Sequence, residues 1–325
     1  MTHVRAEIAS QPDCWRKAAG LAASAGLPPA GERVAVVGCG TSWFMAKAYA
    51  VLREQADQGE TDAFQASEFP AGRVYDRIVA ITRSGTTTEI VDLLRALRGR
   101  TPVTVLTADP AQPAATLADH TVPLGFADEQ SVVQTRFATS TLALLRAHLG
   151  EDIDPVAADA EVAVRMPLPV HPALAEQITF LGRGWTIGLA EEAALKCREA
   201  ASYWAEAYPA MDYRHGPISI AGPRRVVWAF GEIPPGLADE VEATGASFVH
   251  SRHHGGYAAL GSWCGGRAPL DPMADLVVAQ RVAVLLATSQ GLDPDHPRNL
   301  TRSVVLDSHL SGPARRPEDP APAAS

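Results

Sequence analysis

The fold is decided by the stretch Arg33-Val-Ala-Val-Val-Gly-Cys-Gly-Thr-Ser42. Its apolar run predicts a buried strand, its glycines predict a tight turn, and residues 43–52 continue as a predicted helix. A second stretch, Ile178-Thr-Phe-Leu-Gly-Arg-Gly-Trp-Thr186, precedes a helix predicted at 189–203. The two glycines of the first turn recur 144 residues later in the second. A self-similarity of one domain length indicates a tandem duplication.

Strands and helices alternate through both halves of the chain. The further predicted strands are 77–82, 103–107, 225–230 and 246–249. The further predicted helices are 87–98, 135–149, 235–244 and 279–290. Apolar strands that alternate with helices are typical of a parallel sheet covered on both faces. The predicted fold class is therefore α/β.

The length of 325 residues predicts two domains, at roughly 100–200 residues each. We assign residues 1–155 to a first domain with an N-terminal helix and residues 172–311 to a second. A segment rich in Asp, Ala and Pro, residues 156–171, is predicted to link them. Residues 312–325 are rich in Pro and Ala and are predicted to be a disordered tail.

Composition excludes several classes of protein. A net charge of −9 without a basic run argues against a nucleic-acid partner. The four cysteines lie far apart, which argues against a metal site and fits a reducing cytoplasm. The N-terminus lacks the apolar core of a secretory signal, and no apolar run approaches the roughly 18 residues of a membrane span. We expect a cytoplasmic protein without a metal or cofactor.

The stretch Thr82-Arg-Ser-Gly-Thr-Thr-Thr-Glu89 follows a predicted strand and opens a predicted helix. Hydroxyl groups and unpaired amides at a helix N-terminus bind anions well, and Arg83 would add a charge-assisted contact. The alternative is that Ser84 or Thr86 only caps the helix. The density of hydroxyl residues around Gly85 favours the phosphate site.

A second chemical motif lies in the predicted helix at 189–203. Glu192, Lys196 and Glu199 share one helix face at spacings of four and three. The group is either a structural ion pair or a general base held by a neighbouring lysine. His215, before Gly-Pro, is either a loop histidine or a proton carrier. Residue pattern alone leaves both choices open.

A family resemblance decides between these interpretations. The motifs that carry it are Gly38-Cys-Gly-Thr-Ser42, Arg83-Ser-Gly85, Leu181-Gly-Arg-Gly184, Ala194-Leu-Lys-Cys-Arg-Glu199, Ala205-Glu-Ala-Tyr208, His215-Gly-Pro217 and Pro297-Arg-Asn-Leu300. In this order they resemble the isomerase half of glucosamine-6-phosphate synthase and its tandem sugar-isomerase (SIS) relatives. The resemblance implies two tandem SIS domains, each a flavodoxin-like parallel five-stranded sheet flanked by helices. It also implies a hexosamine 6-phosphate as ligand.

The resemblance assigns the binding residues. It implies that Thr82, Ser84 and Thr87 hold the sugar phosphate, with Arg83 where the family has glutamine. The residues placed at sugar-binding positions are Thr41, Ser42 and Val133.

The resemblance also assigns the proton-transfer residues. Glu199 falls on the glutamate that moves the C2 proton, and Lys196 either orients that base or forms a structural pair with it. His215 falls on the ring-opening histidine, which the partner subunit contributes. A homodimer is therefore implied.

Two departures from the family change the expected reaction. No glutaminase domain precedes the matching region, so we do not expect the synthase activity. The family's imine-forming lysine aligns with Arg302, and a guanidinium cannot form an imine. Arg302 can still neutralise charge on a substrate oxygen.

These residues suit an aldose phosphate with an acidic C2 proton, and three functions are compatible with them. The favoured hypothesis is a lyase that dehydrates N-acetylglucosamine 6-phosphate across C2–C3, because an acylated nitrogen is not lost as ammonia. The first alternative is a deaminase or aldose–ketose isomerase acting on glucosamine or galactosamine 6-phosphate. The second is a sugar-phosphate sensor without catalysis, against which the retained Glu199 and His215 argue.

Overall fold

The computed structural model describes residues 2–251 and 270–306. Two helices, α1 (His3–Ala9) and α2 (Gln11–Ala19), precede the first sheet. The first half then contains β1 (Val34–Gly38), α3 (Thr41–Gln55), β2 (Thr61–Gln65), β3 (Arg77–Ile81), α4 (Thr88–Leu97), β4 (Val103–Thr107), α5 (Pro113–Thr116), β5 (His120–Pro123) and α6 (Arg136–His148). Its five strands form one parallel sheet in the order β2-β1-β3-β4-β5. The α/β class and the predicted five-stranded parallel sheet are confirmed for this half.

The second half repeats this plan. After α7 (Ile153–Arg165) it contains β6 (Gln177–Gly182), α8 (Thr186–Ala201), β7 (Ala205–Pro209), β8 (Arg225–Ala229), α9 (Leu237–Glu242), β9 (Ser247–His250) and α10 (Pro272–Ser289). The described strands form a parallel sheet in the order β7-β6-β8-β9, which matches the first four strands of the other sheet. Five strands were predicted for this sheet, and the described residues contain four of them. The segment after β9, Cys264 and the predicted tail at 312–325 lie outside the described residues.

Helices α3 and α8 pack against each other between the sheets through residues that are 144 positions apart. Lys47 Nζ lies 2.5 and 2.7 Å from the two carboxylate oxygens of Glu191. Gly188 passes so close to α3 that an added Cβ would lie 2.3 Å from the carbonyl oxygen of Phe44. Contacts between equivalent residues are what a two-fold relation between the halves produces.

The segment predicted as a linker is mostly helical. Helix α7 begins after Asp152, whose Oδ1 accepts a hydrogen bond from Asp154 N at 3.0 Å. Its buried face includes Val156 and Ala160, and it packs on α2 and α10. Alanine has the highest helix propensity and aspartate is a preferred N-cap, so the composition of this segment also suits a capped helix. The domain boundaries themselves stay a prediction.

Helix α10 corrects the expectation about apolar runs. Its 18 residues have a mean hydropathy of 1.3, so by length and composition alone it could cross a membrane. However, 72% of it is buried in the protein, and it packs on α8 and α7. A helix that is apolar all round is also what the core of a large globular protein requires.

Candidate functional site

A cavity of about 200 Å³ lies at the carboxyl ends of β1 and β3. The chain leaves these two neighbouring strands toward opposite sides of the sheet, and open α/β sheets bind ligands at such a switch point. The predicted site residues that line the cavity are Thr41, Ser42, Thr82, Arg83, Ser84, Thr87, Glu199 and Arg302. The structure therefore brings together the two chemical motifs that lie more than 100 residues apart in sequence.

The turn between β3 and α4 keeps its hydroxyl groups available to a ligand. Gly85 has φ of +67°, and an added Cβ would lie 2.7 Å from Cβ of Gln112, so the turn requires glycine. Thr82 Oγ1 accepts a hydrogen bond from Gly85 N, and Ser84 Oγ accepts one from Thr86 N, each at 3.2 Å. Because both oxygens act as acceptors, their own hydrogens remain free to donate to an anion.

The capping interpretation of this turn is not what the structure shows. The N-cap residue of α4 is Thr87, and its side chain makes no capping hydrogen bond. Ser84 and Thr86 stabilise the turn before the helix rather than the helical amides. The N-terminus of α4 thus faces the cavity with its dipole, which favours negative charge there.

Arg83 is placed differently from the prediction. Its side chain is buried, and its guanidinium donates to the carbonyl oxygens of Ser131, Val132 and Arg302 at 3.1–3.2 Å. The buried carboxylate of Glu129 lies 3.6 Å away, and burial lowers the pKa of Arg83. Arg83 therefore holds two loops in place, and much of its charge is balanced inside the protein.

Residues 128–135 form one wall of the cavity, with burial that alternates along the segment. Val133, predicted to contact the sugar, points into the hydrophobic core. Its neighbours Val132 and Gln134 line the cavity instead, because successive side chains point to opposite sides. A contact between Val133 and a sugar stays a prediction, and it would have to use the backbone of this segment rather than the buried side chain.

Glu199 reaches the cavity from α8, a helix of the other half. Its side chain is 20% exposed, and its Oε2 accepts a hydrogen bond from Lys196 Nζ at 2.6 Å. Lys196 is fully buried and also donates to Thr41 Oγ1 at 3.0 Å, so the group is tied to the first glycine turn. Lys196 therefore fixes the carboxylate on its buried side, and the other side of the carboxylate is open to the cavity.

Glu192 completes this buried group. Its Oε1 lies 3.3 Å from Lys196 Nζ, and burial raises the pKa of Glu192 to about 8 although the ammonium group opposes that shift. Burial alone would lower the pKa of Lys196, but the two carboxylates raise it. The Lys196 ammonium group thus lies between two carboxyl groups, and burial favours the protonated form of the deeper one, Glu192.

Arg302 lies at the rim of the cavity. Its guanidinium donates to the carbonyl oxygen of Glu129 and to the carboxylate of Asp128. Both side chains of the ion pair are about 40% exposed. The cation is thus held near the cavity by groups on the 128–135 wall.

The segment around Arg302 covers the turn between β3 and α4. Thr88 N donates to the carbonyl oxygen of Val304 at 3.1 Å, and the hydroxyls of Thr86 and Ser303 lie 3.0 Å apart. These contacts attach residues 300–306 to the start of α4. No sequence signal linked these two regions.

His215 does not reach the cavity within this chain. It ends a short turn, Asp212–His215, that follows β7, and its side chain is exposed. Among residues 2–251 and 270–306, no three His, Cys, Asp or Glu side chains converge as a metal site would require. Independence of metals stays a prediction.

The cavity is also lined by polar residues that sequence reasoning did not assign to the site: Cys39, Glu89, Gln134, Thr301 and Ser303. Burial raises the pKa of Cys39 to about 11, so its thiol is protonated and unreactive at neutral pH. The alternating burial of residues 129–135, which places Gln134 at the cavity, is visible only in the structure.

Comparison with known sequences finds relatives but no matching family model. The chain is 29% identical over 297 residues to a glutamine–fructose-6-phosphate aminotransferase (isomerizing) of Sulfolobus acidocaldarius, with 85% of this chain and 50% of the relative covered. It is 28% identical over 318 residues to the enzyme of that name from Caulobacter vibrioides, with 85% and 52% covered. The chain thus spans about half the length of these curated relatives.

Solved structures share the fold across nearly the whole chain. A glucosamine-6-phosphate deaminase from Thermotoga maritima superposes with a TM-score of 0.76 at 23% identity, covering 94% of this chain and 100% of that one. A tagatose-6-phosphate ketose/aldose isomerase from Escherichia coli superposes with a TM-score of 0.71 at 19% identity, covering 92% and 98%. The chain therefore has the SIS-like fold of these phosphosugar proteins.

Proposed function

We propose that the protein is a cytoplasmic acid–base enzyme acting on an amino-sugar 6-phosphate. The observation that carries the proposal is one cavity that joins the hydroxyl-rich turn of β3–α4 to the Lys196-braced carboxylate of Glu199. An anion site and a proton acceptor in one cavity suit a phosphorylated sugar with an acidic proton near its carbonyl group. The names of the relatives, which concern sugar phosphates, agree with this class.

The phosphate would lie at the N-terminus of α4. The hydroxyls of Thr82, Ser84 and Thr87 would donate to its oxygens, and the helix dipole would add to the attraction. Arg83 contributes indirectly, because its guanidinium fixes the loops around the cavity.

Glu199 would remove the C2 proton of the open-chain aldose. Our favoured reaction is dehydration of N-acetylglucosamine 6-phosphate: the C2–H electron pair forms a C2=C3 double bond, the C3–O bond breaks, and the proton held by Glu199 leaves with that oxygen as water. Arg302 at the rim would neutralise charge that develops on the C1 oxygen. Because Arg302 cannot form an imine, the intermediate is not captured covalently there.

The ring would be opened by His215 of a second subunit. The exposed position of His215, outside the cavity of its own chain, supports a homodimer in which each site is completed by the partner. We also infer a tandem duplication of the SIS domain, supported by the repeated strand order and by the contacts between equivalent residues.

Mass spectrometry tests the reaction directly. Incubation with N-acetylglucosamine 6-phosphate should give a product lighter by one water. An unchanged substrate mass with fully folded protein would overturn the dehydration.

The alternative activity is deamination or aldose–ketose isomerisation, supported by the glucosamine-6-phosphate deaminase that superposes along its whole length. Glu199 and the phosphate turn would serve it equally. Release of ammonia from glucosamine 6-phosphate, or a ketose product of unchanged mass, would identify it. Binding of all these phosphates without turnover would instead indicate a sensor.

A further inference from the structure

Gln134 is a polar side chain of the cavity that neither the phosphate turn nor Glu199 engages. Its Oε1 is buried and has no hydrogen-bond partner among residues 2–251 and 270–306. Nearly all buried acceptors are paired, so an unpaired one at a cavity wall calls for an explanation. A ligand that donates a hydrogen bond would supply the missing partner.

The loop that carries Gln134 is fixed by hydrogen bonds to two carboxylates on the side away from the cavity. Glu7 accepts a hydrogen bond from Gln130 N at 2.5 Å and another from the hydroxyl of Ser131. On the other side of Gln134, Glu129 accepts hydrogen bonds from the amide and hydroxyl of Thr135 at 2.5 and 2.6 Å. A side chain on such a fixed backbone recognises ligands by geometry.

We propose that Gln134 recognises an acylated nitrogen at C2 of the sugar, an inference that rests on the proposed function. A carboxamide carries an acceptor and a donor on neighbouring atoms, and an acylamino group offers the matching N–H and C=O. The last torsion of glutamine is soft, so the carboxamide can turn both atoms toward the ligand. Val132 lines the cavity two residues earlier and presents an apolar surface to the acyl methyl group.

A free 2-amino group on the sugar would form poorer contacts with Gln134 and Val132 than an acylamino group would. Its protonated form has only donors, so the NH₂ group of Gln134 would lose its acceptor, and Val132 would face an open space. A 2-hydroxyl group can satisfy one amide atom but not both. Gln134 therefore favours the acylated sugar phosphate over the other two.

The test measures dissociation constants by calorimetry for N-acetylglucosamine 6-phosphate, glucosamine 6-phosphate and glucose 6-phosphate. Gln134→Met keeps the length of the side chain and removes both polar atoms. We expect about tenfold weaker binding of the acylated sugar and a change below about twofold for glucose 6-phosphate. Gln130→Met, on the exposed side of the same loop, should leave all three constants unchanged.

A second variant, Gln134→Glu, keeps acceptors and adds negative charge. It should shift the preference toward glucosamine 6-phosphate. Equal weakening of all three ligands by Gln134→Met, or no weakening at all, would overturn the role of Gln134 while leaving the phosphate site intact. If the unaltered protein binds none of the three phosphates, the proposed function itself fails.

Discussion

The turn after β3 and the turn after β8 hold equivalent places in two sheets of the same strand order, yet their residues differ in kind. The first reads Thr-Arg-Ser-Gly-Thr-Thr-Thr at 82–88, and the second reads Phe-Gly-Glu-Ile-Pro-Pro-Gly at 230–236. Prolines have no amide hydrogen to donate, and Glu232 would repel a phosphate. Both sequences close a β–α turn, and the first offers hydroxyl groups where the second offers prolines, although the carboxylate of Glu89 also lines the first cavity.

The same contrast holds for the residues that cross between the halves. Helix α8 brings Glu199 to the first cavity, and α3 brings Gln55 to a second cavity of about 540 Å³ at the other sheet. Gln55 and Glu199 are 144 residues apart and are equivalent in the repeat. The strand order is thus repeated while the residues at the two cavities differ, so a repeated backbone does not by itself repeat a site.

The largest expected effect is the loss of turnover on substitution of Glu199, compared with substitution of the equivalent residue Gln55. Glu199→Gln removes the proton acceptor, so turnover should fall by about 10²–10⁴-fold or more while substrate binding stays measurable. The matched change Gln55→Glu places a carboxylate in the second cavity and should leave turnover unaltered. Steady-state kinetics with a calorimetric binding assay would check both, and near-full activity of Glu199→Gln would remove Glu199 from its role.

The next largest effect is expected on KM, for substitutions in the turn after β3 compared with the turn after β8. Ser84→Ala combined with Thr87→Ala removes two donors to the phosphate and should raise KM by roughly 10- to 100-fold with a smaller change in kcat. Glu232→Ala in the second turn is the control and should leave KM within about twofold. A KM unchanged by the double substitution would contradict the phosphate site.

The helix crossing between the halves should be sensitive to one methyl group. Gly188→Ala places Cβ against a carbonyl of α3, and we expect the free energy of unfolding to fall by about 1–3 kcal/mol. Gly20→Ala, where the nearest atom would be 3.5 Å away, is the control and should change it by less than about 0.5 kcal/mol. Urea denaturation measures both, and equal stabilities would show that the crossing can relax.

A separate expected effect concerns the pH dependence of stability. The pKa of Glu192 is raised by burial from 4.5 to about 8, so the folded protein keeps a proton that the unfolded chain releases. This contribution is fully present below pH 4.5 and is lost as pH rises toward 8, by at most about 1.4 kcal/mol per pH unit. Glu192→Gln should reduce the fall in unfolding free energy between pH 5 and pH 8.

The neighbouring substitution Glu191→Gln provides the control for that titration. Glu191 is partly exposed and pairs with Lys47, so its loss should leave the pH profile close to that of the unaltered protein. Identical profiles for Glu192→Gln and the unaltered protein would contradict a raised pKa at Glu192.

Sequence reasoning predicted the central strands well and the edge strands poorly. The central strands carry mostly buried apolar residues: the predicted bounds of β3, β4 and β8 agree with the observed ones to within one residue, and β1 and β6 lie in the apolar runs predicted to precede the glycine turns. β2 and β7 lie at sheet edges with mixed, partly exposed residues, and no prediction identified them. Edge strands lack the continuous apolar run on which the prediction depended.

The site shows the same division between local and distant information. The spacing of Glu192, Lys196 and Glu199 predicted a shared helix face, because helical geometry is local. The buried position of Arg83 depends on Glu129 and on the carbonyl of Arg302, which lie 46 and 219 residues further along the chain. No periodicity encodes such contacts.

The sequence alone predicted the α/β alternation, the repeated glycine turns, the hydroxyl-rich turn and the shared helix face of Glu192, Lys196 and Glu199, since each of these motifs is formed by residues close in the chain. Only the tertiary structure decided that the turn and the helix face share one cavity and that the Arg83 guanidinium joins two loops. It also decided that Val132 and Gln134 line the cavity while the Val133 side chain packs in the core, and that the two cavities have different linings. Those outcomes depend on helices of one half reaching the sheet of the other, which is a property of packing across the whole chain.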